Sequence, residues 1–190
     1  MFSDIFSLVI DTLSSLYLMI ILLRFVLQIS RADFYNPLSQ FVVKATNPLL
    51  IPIRRVVPGI AGIDVASLIL AVLFQSLVLM IKVLVIAGTI ASPVGILLLS
   101  VVMVLSLLIK LYFYSLLIMI IASWVAPGNS HPALLLVNQI TEPLMKPFRN
   151  LLPPMGGLDL SPILVFLVLQ VLEKVVGHLS YQVGVGFPLI

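Results

Sequence analysis

Four apolar runs, at about residues 5–29, 65–87, 93–125 and 162–182, leave this chain few ways to fold. A helix that crosses a bilayer needs about 20 predominantly apolar residues, and each run supplies them. None alternates apolar with polar residues, as the strands of a membrane β-barrel do, so the runs are read as helices. The balance of residue types agrees: of 190 residues, 62% are hydrophobic and 9% charged, whereas a soluble domain is nearer half apolar and a quarter charged. Too little polar surface is left to cover a ball in water. The third run is the longest, and its stretch from Ile96 onward aligns with the whole first run. One long tilted helix is expected there, with a break near Lys110 as the alternative. The opening MFSDIFSLVID has neither a basic stretch nor a small-residue cleavage site, so it is expected as a retained first span rather than a leader. There are no cysteines, which excludes disulfides, thiol catalysis, cysteine-ligated zinc and CxxCH haem attachment.

Gly88, Ser92 and Pro93 predict a tight turn between the second and third spans. The other two connections, roughly 30–64 and 126–161, are long, and structureless loops of that length are uncommon. Two short amphipathic helices are expected in each. Asn36-Pro37 and His131-Pro132 would start the first by capping and by proline's fixed φ. Thr46-Asn47-Pro48 and Thr141-Glu142-Pro143 would start the second, Pro52 and Pro147 would kink it, and Pro58 and Pro153 would end it. Arg31, Lys44, Arg54 and Arg55 lie in the first long loop and Lys146 and Arg149 in the second, while the short turn has no basic residue. The positive-inside bias therefore predicts cytoplasmic long loops and both termini outside. The net charge of +3 comes without a basic run, so anionic lipid headgroups rather than nucleic acid are the expected partner.

The chain matches itself at a shift of 95 residues without a gap. TNPLLIPIRRVVPGIAGID at 46–64 is answered by TEPLMKPFRNLLPPMGGLD at 141–159. Beyond leucines, the matched positions include Tyr17/Tyr112, Pro37/Pro132, Arg54/Arg149, Gly62/Gly157, Asp64/Asp159 and Gln75/Gln170. Two repeats are expected, 1–91 and 92–190, each holding two spans. With an even number of spans the copies would run the same way, about an axis along the membrane normal. The fold class predicted is thus all-α: a polytopic membrane protein of four transmembrane helices in two parallel tandem repeats.

The doubled PxxxPxRxxxP…GxD pattern resembles the signature of the YggT family of small bacterial membrane proteins, related to the YlmG proteins of plastids. The resemblance covers both repeats. The first copy departs from the pattern in having Ala66-Ser67 where the second has Ser161-Pro162. For function, the resemblance implies roles linked to osmotic stress tolerance, ion homeostasis and placement of the division machinery in bacteria, and to nucleoid partitioning and cytochrome b6 maturation in plastids. It implies no reaction.

Among charged residues only Arg54/Arg149 and Asp64/Asp159 are doubled. One reading makes each Arg–Asp pair a latch that pins the loop to the next span, with Asp at a helix start. The other has the arginines hold a lipid phosphate or a partner's carboxylate. Gln75 and Gln170 lie 11 residues past their Asp, about 16 Å deep at ~1.5 Å per residue, and Tyr17 and Tyr112 reach a similar depth. A Tyr–Gln hydrogen bond in each repeat is expected, or a polar site on the repeat axis. Intramembrane charges usually pair, so Asp11–Lys82 and Lys110–Glu173 are predicted as ion pairs, with outward snorkelling of Lys82 the alternative and a proton or cation relay through Lys110–Glu173 a further possibility. His131 and His178 are poor joint ligands, no catalytic motif is present, and neither a metal nor a cofactor is expected. The leading expectation is a non-enzymatic inner-membrane scaffold or assembly factor whose amphipathic loops meet lipid, protein partners or a second copy. The alternative is a small ion or osmolyte conduit.

Overall fold

The computed structural model describes residues 2–57, 59, 62–89, 92–128, 130–151 and 159–185. Six helices follow one another: α1 (Phe2–Ile29), α2 (Pro37–Val56), α3 (Val65–Ala87), α4 (Pro93–Val125), α5 (Pro132–Leu151) and α6 (Ser161–Val185). The protein is all-α, with no strand among the described residues. Helices α1, α3, α4 and α6 are long and apolar enough to cross a membrane. Their outward faces carry large apolar side chains such as Leu8, Leu73, Leu98 and Leu167, each more than half exposed. Patches of that extent are untenable in water and suit lipid. Helix α4 continues unbroken past Lys110 for 33 residues, about 50 Å at ~1.5 Å per residue, so it tilts or projects beyond a hydrocarbon layer of ~30 Å.

Each long loop holds one helix of 20 residues, not the expected two. Asn36 caps α2 by accepting from the Leu38 N–H at 3.0 Å, and His131 Nδ1 accepts from the Ala133 N–H at 3.2 Å at the start of α5. The helices then run straight through Pro48 and Pro52 and through Pro143 and Pro147. A proline removes one ladder bond, to the carbonyl four residues earlier, and side-chain donors meet carbonyls close to those freed. In α2, Tyr17 donates its hydroxyl to the Ala45 carbonyl (3.1 Å), Arg24 donates to the Val43 carbonyl (3.0 Å), and Thr46 donates to the Val42 carbonyl (2.7 Å). In α5, Thr141 donates to the carbonyls of Val137 (2.9 Å) and Asn138 (3.2 Å). Pro58 and Pro153, expected to end these helices, lie outside the described residues. Helix α5 starts and stops 95 residues after α2.

Helices α1 and α3 pack together, as do α4 and α6, while α2 and α5 lie across one end of these pairs. The main core joins Leu18, Leu22 and Val26 of α1 to Leu50 of α2, Leu70 of α3, Leu111 of α4 and Ile140 of α5. A second core holds Leu116, Met145 and Val165 between α4, α5 and α6. Where α3 meets α4, the hydroxyls of Ser76 and Ser100 stand 2.9 Å apart, the close approach that small residues permit between membrane helices. Gly88 ends α3 at φ 63, a left-handed position that costs glycine little, and Ser92 precedes Pro93 at the start of α4.

Candidate functional site

The end of the bundle bearing α2 and α5 forms two elbows, each turning back into a span through an Arg–Asp bridge. In the first, Arg54 Nη2 donates to Asp64 Oδ2 (2.5 Å) and to Gln28 Oε1 of α1 (3.1 Å). Asp64 is 2% exposed and caps α3, accepting from the Ser67 N–H at 3.3 Å and from the Ser67 hydroxyl. Gly62, at φ 83, makes the reversal between them in a region open to glycine. Burial opposes the charge of Asp64, but the hydrogen bonds from Arg54 and Ser67 and the charge of Arg54 outweigh it. Its carboxyl therefore sits below the usual range. Three helices are tied by this one guanidinium.

Sequence reasoning missed Arg24. It lies inside α1, 7% exposed, and its Nη1 is within bonding distance of the Val43 carbonyl (3.0 Å), Thr46 Oγ1 (2.7 Å) and Asn47 Oδ1 (2.8 Å). Among the described residues no carboxylate comes within 4.0 Å of it. A buried charge needs such neutral acceptors when no counter-ion is at hand. The available signal was a lone arginine in an apolar run whose counterpart 95 residues on is Met119. With Gln28, Ser39 and Arg54, Arg24 closes a cavity of only about 40 Å³.

The second elbow is wetter. Arg149 Nε donates to Asp159 (3.1 Å) and its Nη1 to both oxygens of Glu142 (2.9 and 2.7 Å). All three side chains are more than 40% exposed. Ser161, its hydroxyl beside the carboxylate and its N–H donating to Oδ1 at 2.9 Å, does most to hold Asp159 below the usual range, against partial burial and with help from Arg149. Partial burial opposes the charge of Arg149, yet Glu142 and Asp159 raise its affinity for the proton. Beside this bridge opens a groove of about 820 Å³ between α4, α5 and α6.

At the opposite end, a polar cleft of about 470 Å³ lies among the four spans, with Asp11, Gln75, Ser106 and Lys110 on its walls. Lys82 Nζ bonds both Asp11 oxygens, at 2.8 and 2.9 Å. The expected Lys110–Glu173 pair does not form. Lys110 shares its opening with Gly177 and Ser180, whereas Glu173 sits a turn away on α6, in a separate opening with Gln170, Lys174 and His178. The expected Tyr–Gln bonds also fail. Tyr17 turns to the Ala45 carbonyl and packs its ring on Phe74, because the interrupted helix α2 offers the better acceptor. Gln75 instead faces Met103 Sδ at 3.5 Å. Tyr112 lies by Ser30 at the repeat boundary, and Gln170 is exposed beside Glu173. No group of three or more metal-ligating side chains occurs among the described residues.

This fold and these elbows define a multi-pass α-helical membrane protein of four spans. The family model described as CCB3/YggT matches residues 3–86 and again 98–180, and the chain belongs to that family. It is 54% identical to an uncharacterized protein of Pseudomonas aeruginosa, over 93% of this chain and 90% of that one. With the uncharacterized protein YggT of Escherichia coli K12 it shares 39% identity over 92% of this chain and 90% of that one. With the uncharacterized protein in the proC 3′ region of Vibrio alginolyticus it shares 39% over 91% and 94%. No solved structure matches.

Proposed function

We propose that the chain is a non-enzymatic scaffold of the bacterial inner membrane. Its two repeats stand in parallel about an axis along the membrane normal, the elbows face the cytosol, and α2 and α5 are the surface offered to lipid and to protein partners in envelope homeostasis or cell division. The orientation rests on the basic residues of the elbow loops. The observation that carries the reading is the packing between α1 and α4. On the elbow side of the polar cleft, Leu18, Leu22 and Leu111 are buried together, with Leu107 and Tyr112 against them. A polar path through one chain would have to cross that layer. The paired latches, meanwhile, give the interface helices a fixed angle to the spans, as a platform requires.

The polar cleft, with Lys110 and the Asp11–Lys82 pair, favours a second reading, a small ion or osmolyte conduit that opens in an oligomer. Reconstitution in liposomes separates the two. Absence of cation and anion flux, together with loss of a co-purifying partner in Phe41→Ala/Arg55→Ala on the exposed face of α2, is the result expected. Flux that disappears in Lys110→Ala would overturn the scaffold reading.

A further inference from the structure

The two elbows hold the same recess at different stages of closure. Seven of the eight residues around the 40 Å³ cavity have counterparts 95 positions on around the 820 Å³ groove; the eighth counterpart lies outside the described residues. The groove also extends along α6 past Ile163 and Phe166, and the side chains at the shared positions are different. Arg24 is answered by Met119, Leu27 by Ala122 and Gln28 by Ser123. A guanidinium, an isobutyl group and an amide fill the first recess, and their smaller or unbonded replacements leave the second open.

Charge has been redistributed as well. Around the first bridge stand two cations, Arg24 and Arg54, and one anion, Asp64. Around the second stand one cation, Arg149, and two anions, Glu142 and Asp159. Neither Lys146 nor Glu142, both exposed on α5, lines the groove; Glu142 acts on it through Arg149. The groove wall grades from Phe166, Ile163 and Met119 to Asn138, Arg149 and Asp159, with Trp124 at the same end. Its volume falls in the ~300–1,000 Å³ range of ligand-holding pockets.

We propose that this groove is a binding site for a zwitterionic phospholipid whose headgroup ends in a primary ammonium. An acyl chain lies along Phe166, Ile163 and Met119. The ammonium donates to Asp159, and the phosphate accepts from the Asn138 amide. With Arg149 already matched by Glu142 and Asp159, the bridge's net negative charge disfavours an anionic headgroup, and a quaternary ammonium, which has no N–H, cannot make the same bonds. The site goes beyond the scaffold reading and does not depend on it or on orientation.

Trp124 is the sole tryptophan and lines the groove, so its fluorescence reports occupancy. The full chain is placed in nanodiscs of phosphatidylcholine containing one-tenth brominated phosphatidylethanolamine, phosphatidylglycerol or phosphatidylcholine. Quenching at least two-fold greater with the ethanolamine lipid is expected. Asp159→Asn should abolish that preference. Ala122→Leu and, separately, Ser123→Gln, which import residues the first elbow already accommodates, should abolish the excess quenching in protein that still elutes as a single species with native helicity. Equal quenching by all three lipids means only annular contact and overturns the proposal. Stronger quenching by the glycerol lipid overturns the charge argument, and excess quenching that survives in both groove-filling variants places the lipid elsewhere.

Discussion

The two bridges share their chemistry but differ in solvent, and Arg54→Ala measured against Arg149→Ala turns that difference into numbers. Asp64 is 2% exposed, so deleting Arg54 strands a carboxylate that cannot recover water and keeps only its bonds from Ser67. Stranding one partner of a fully buried pair costs about 3–5 kcal/mol. The Arg54 side chain is 37% exposed, which discounts the pair's own attraction, and about 2 kcal/mol is expected. Around Arg149 the carboxylates are 55% and 44% exposed, so both regain water and the loss is at most about 1 kcal/mol. At ~1.4 kcal/mol per decade, hydrogen exchange of the α2 amides should quicken about 30-fold in Arg54→Ala, and that of the α5 amides no more than about 5-fold in Arg149→Ala. The second effect should shrink further in 0.5 M salt and the first should not, since buried pairs are screened less. Equal acceleration of the two helices, or a larger effect at Arg149, would refute the argument that burial, and not the mere presence of the pair, sets the strength of the latch.

Other expectations follow from the same geometry. Asp64 and Asp159 both have depressed carboxyl pKa values in the fold, so each contributes stability that is present above the unfolded value of ~3.9 and is lost as pH falls through the lower folded value. Thermal stability should be level from pH 8 to 5 and decline below about 4, and Asp64→Asn should flatten that acid limb while lowering stability at neutral pH. Arg24→Met should loosen α2 around Pro48 by about 2 kcal/mol, the scale of losing hydrogen bonds from a charged donor, read as faster exchange confined to residues 43–48. Because the chain has no cysteine, single cysteines report access cleanly. Ser106→Cys and Lys110→Cys should react with a charged thiol reagent through the polar cleft, and Leu22→Cys, at 0% exposure, should not. Reaction at all three positions at one rate would mean that the layer between α1 and α4 is open.

Spans and turns were legible because the membrane makes composition decisive: a stretch such as 65–87 has no other stable state than a buried helix. The Arg–Asp bridges were legible because duplication marks them against an apolar background. The loop helices are not legible as single helices because Pro48 and Pro143 read as the start of a second one. Here Tyr17 and Arg24 donate from another helix to the carbonyls on either side of the one Pro48 frees, a tertiary fact with no local trace. The same fact displaced the Tyr17–Gln75 bond, since depth along two helices fixes only one coordinate of a contact and leaves the rotation about each axis open. Lys110 and Glu173 show the same gap: similar depth, adjoining openings, no bond.

The pairing of a constant bridge with variable surroundings is itself informative. Arg and Asp stand ten residues apart in both elbows and meet in both. Their neighbours within reach do not correspond: Gln28 and Ser67 complete the first set, Glu142 and Ser161 the second. If the guanidinium were there to receive an external anion, the second elbow would defeat it by surrounding Arg149 with two carboxylates of its own chain, leaving little positive potential to offer. If the bridge is there to set the angle between a loop helix and the following span, either environment serves, because the geometry needs only one cation against one anion at the turn. The arrangement therefore favours a shape-setting role for the doubled arginines, and leaves recognition largely to the positions at which the two elbows differ, with Arg24 sealing one recess and Met119 leaving the other open.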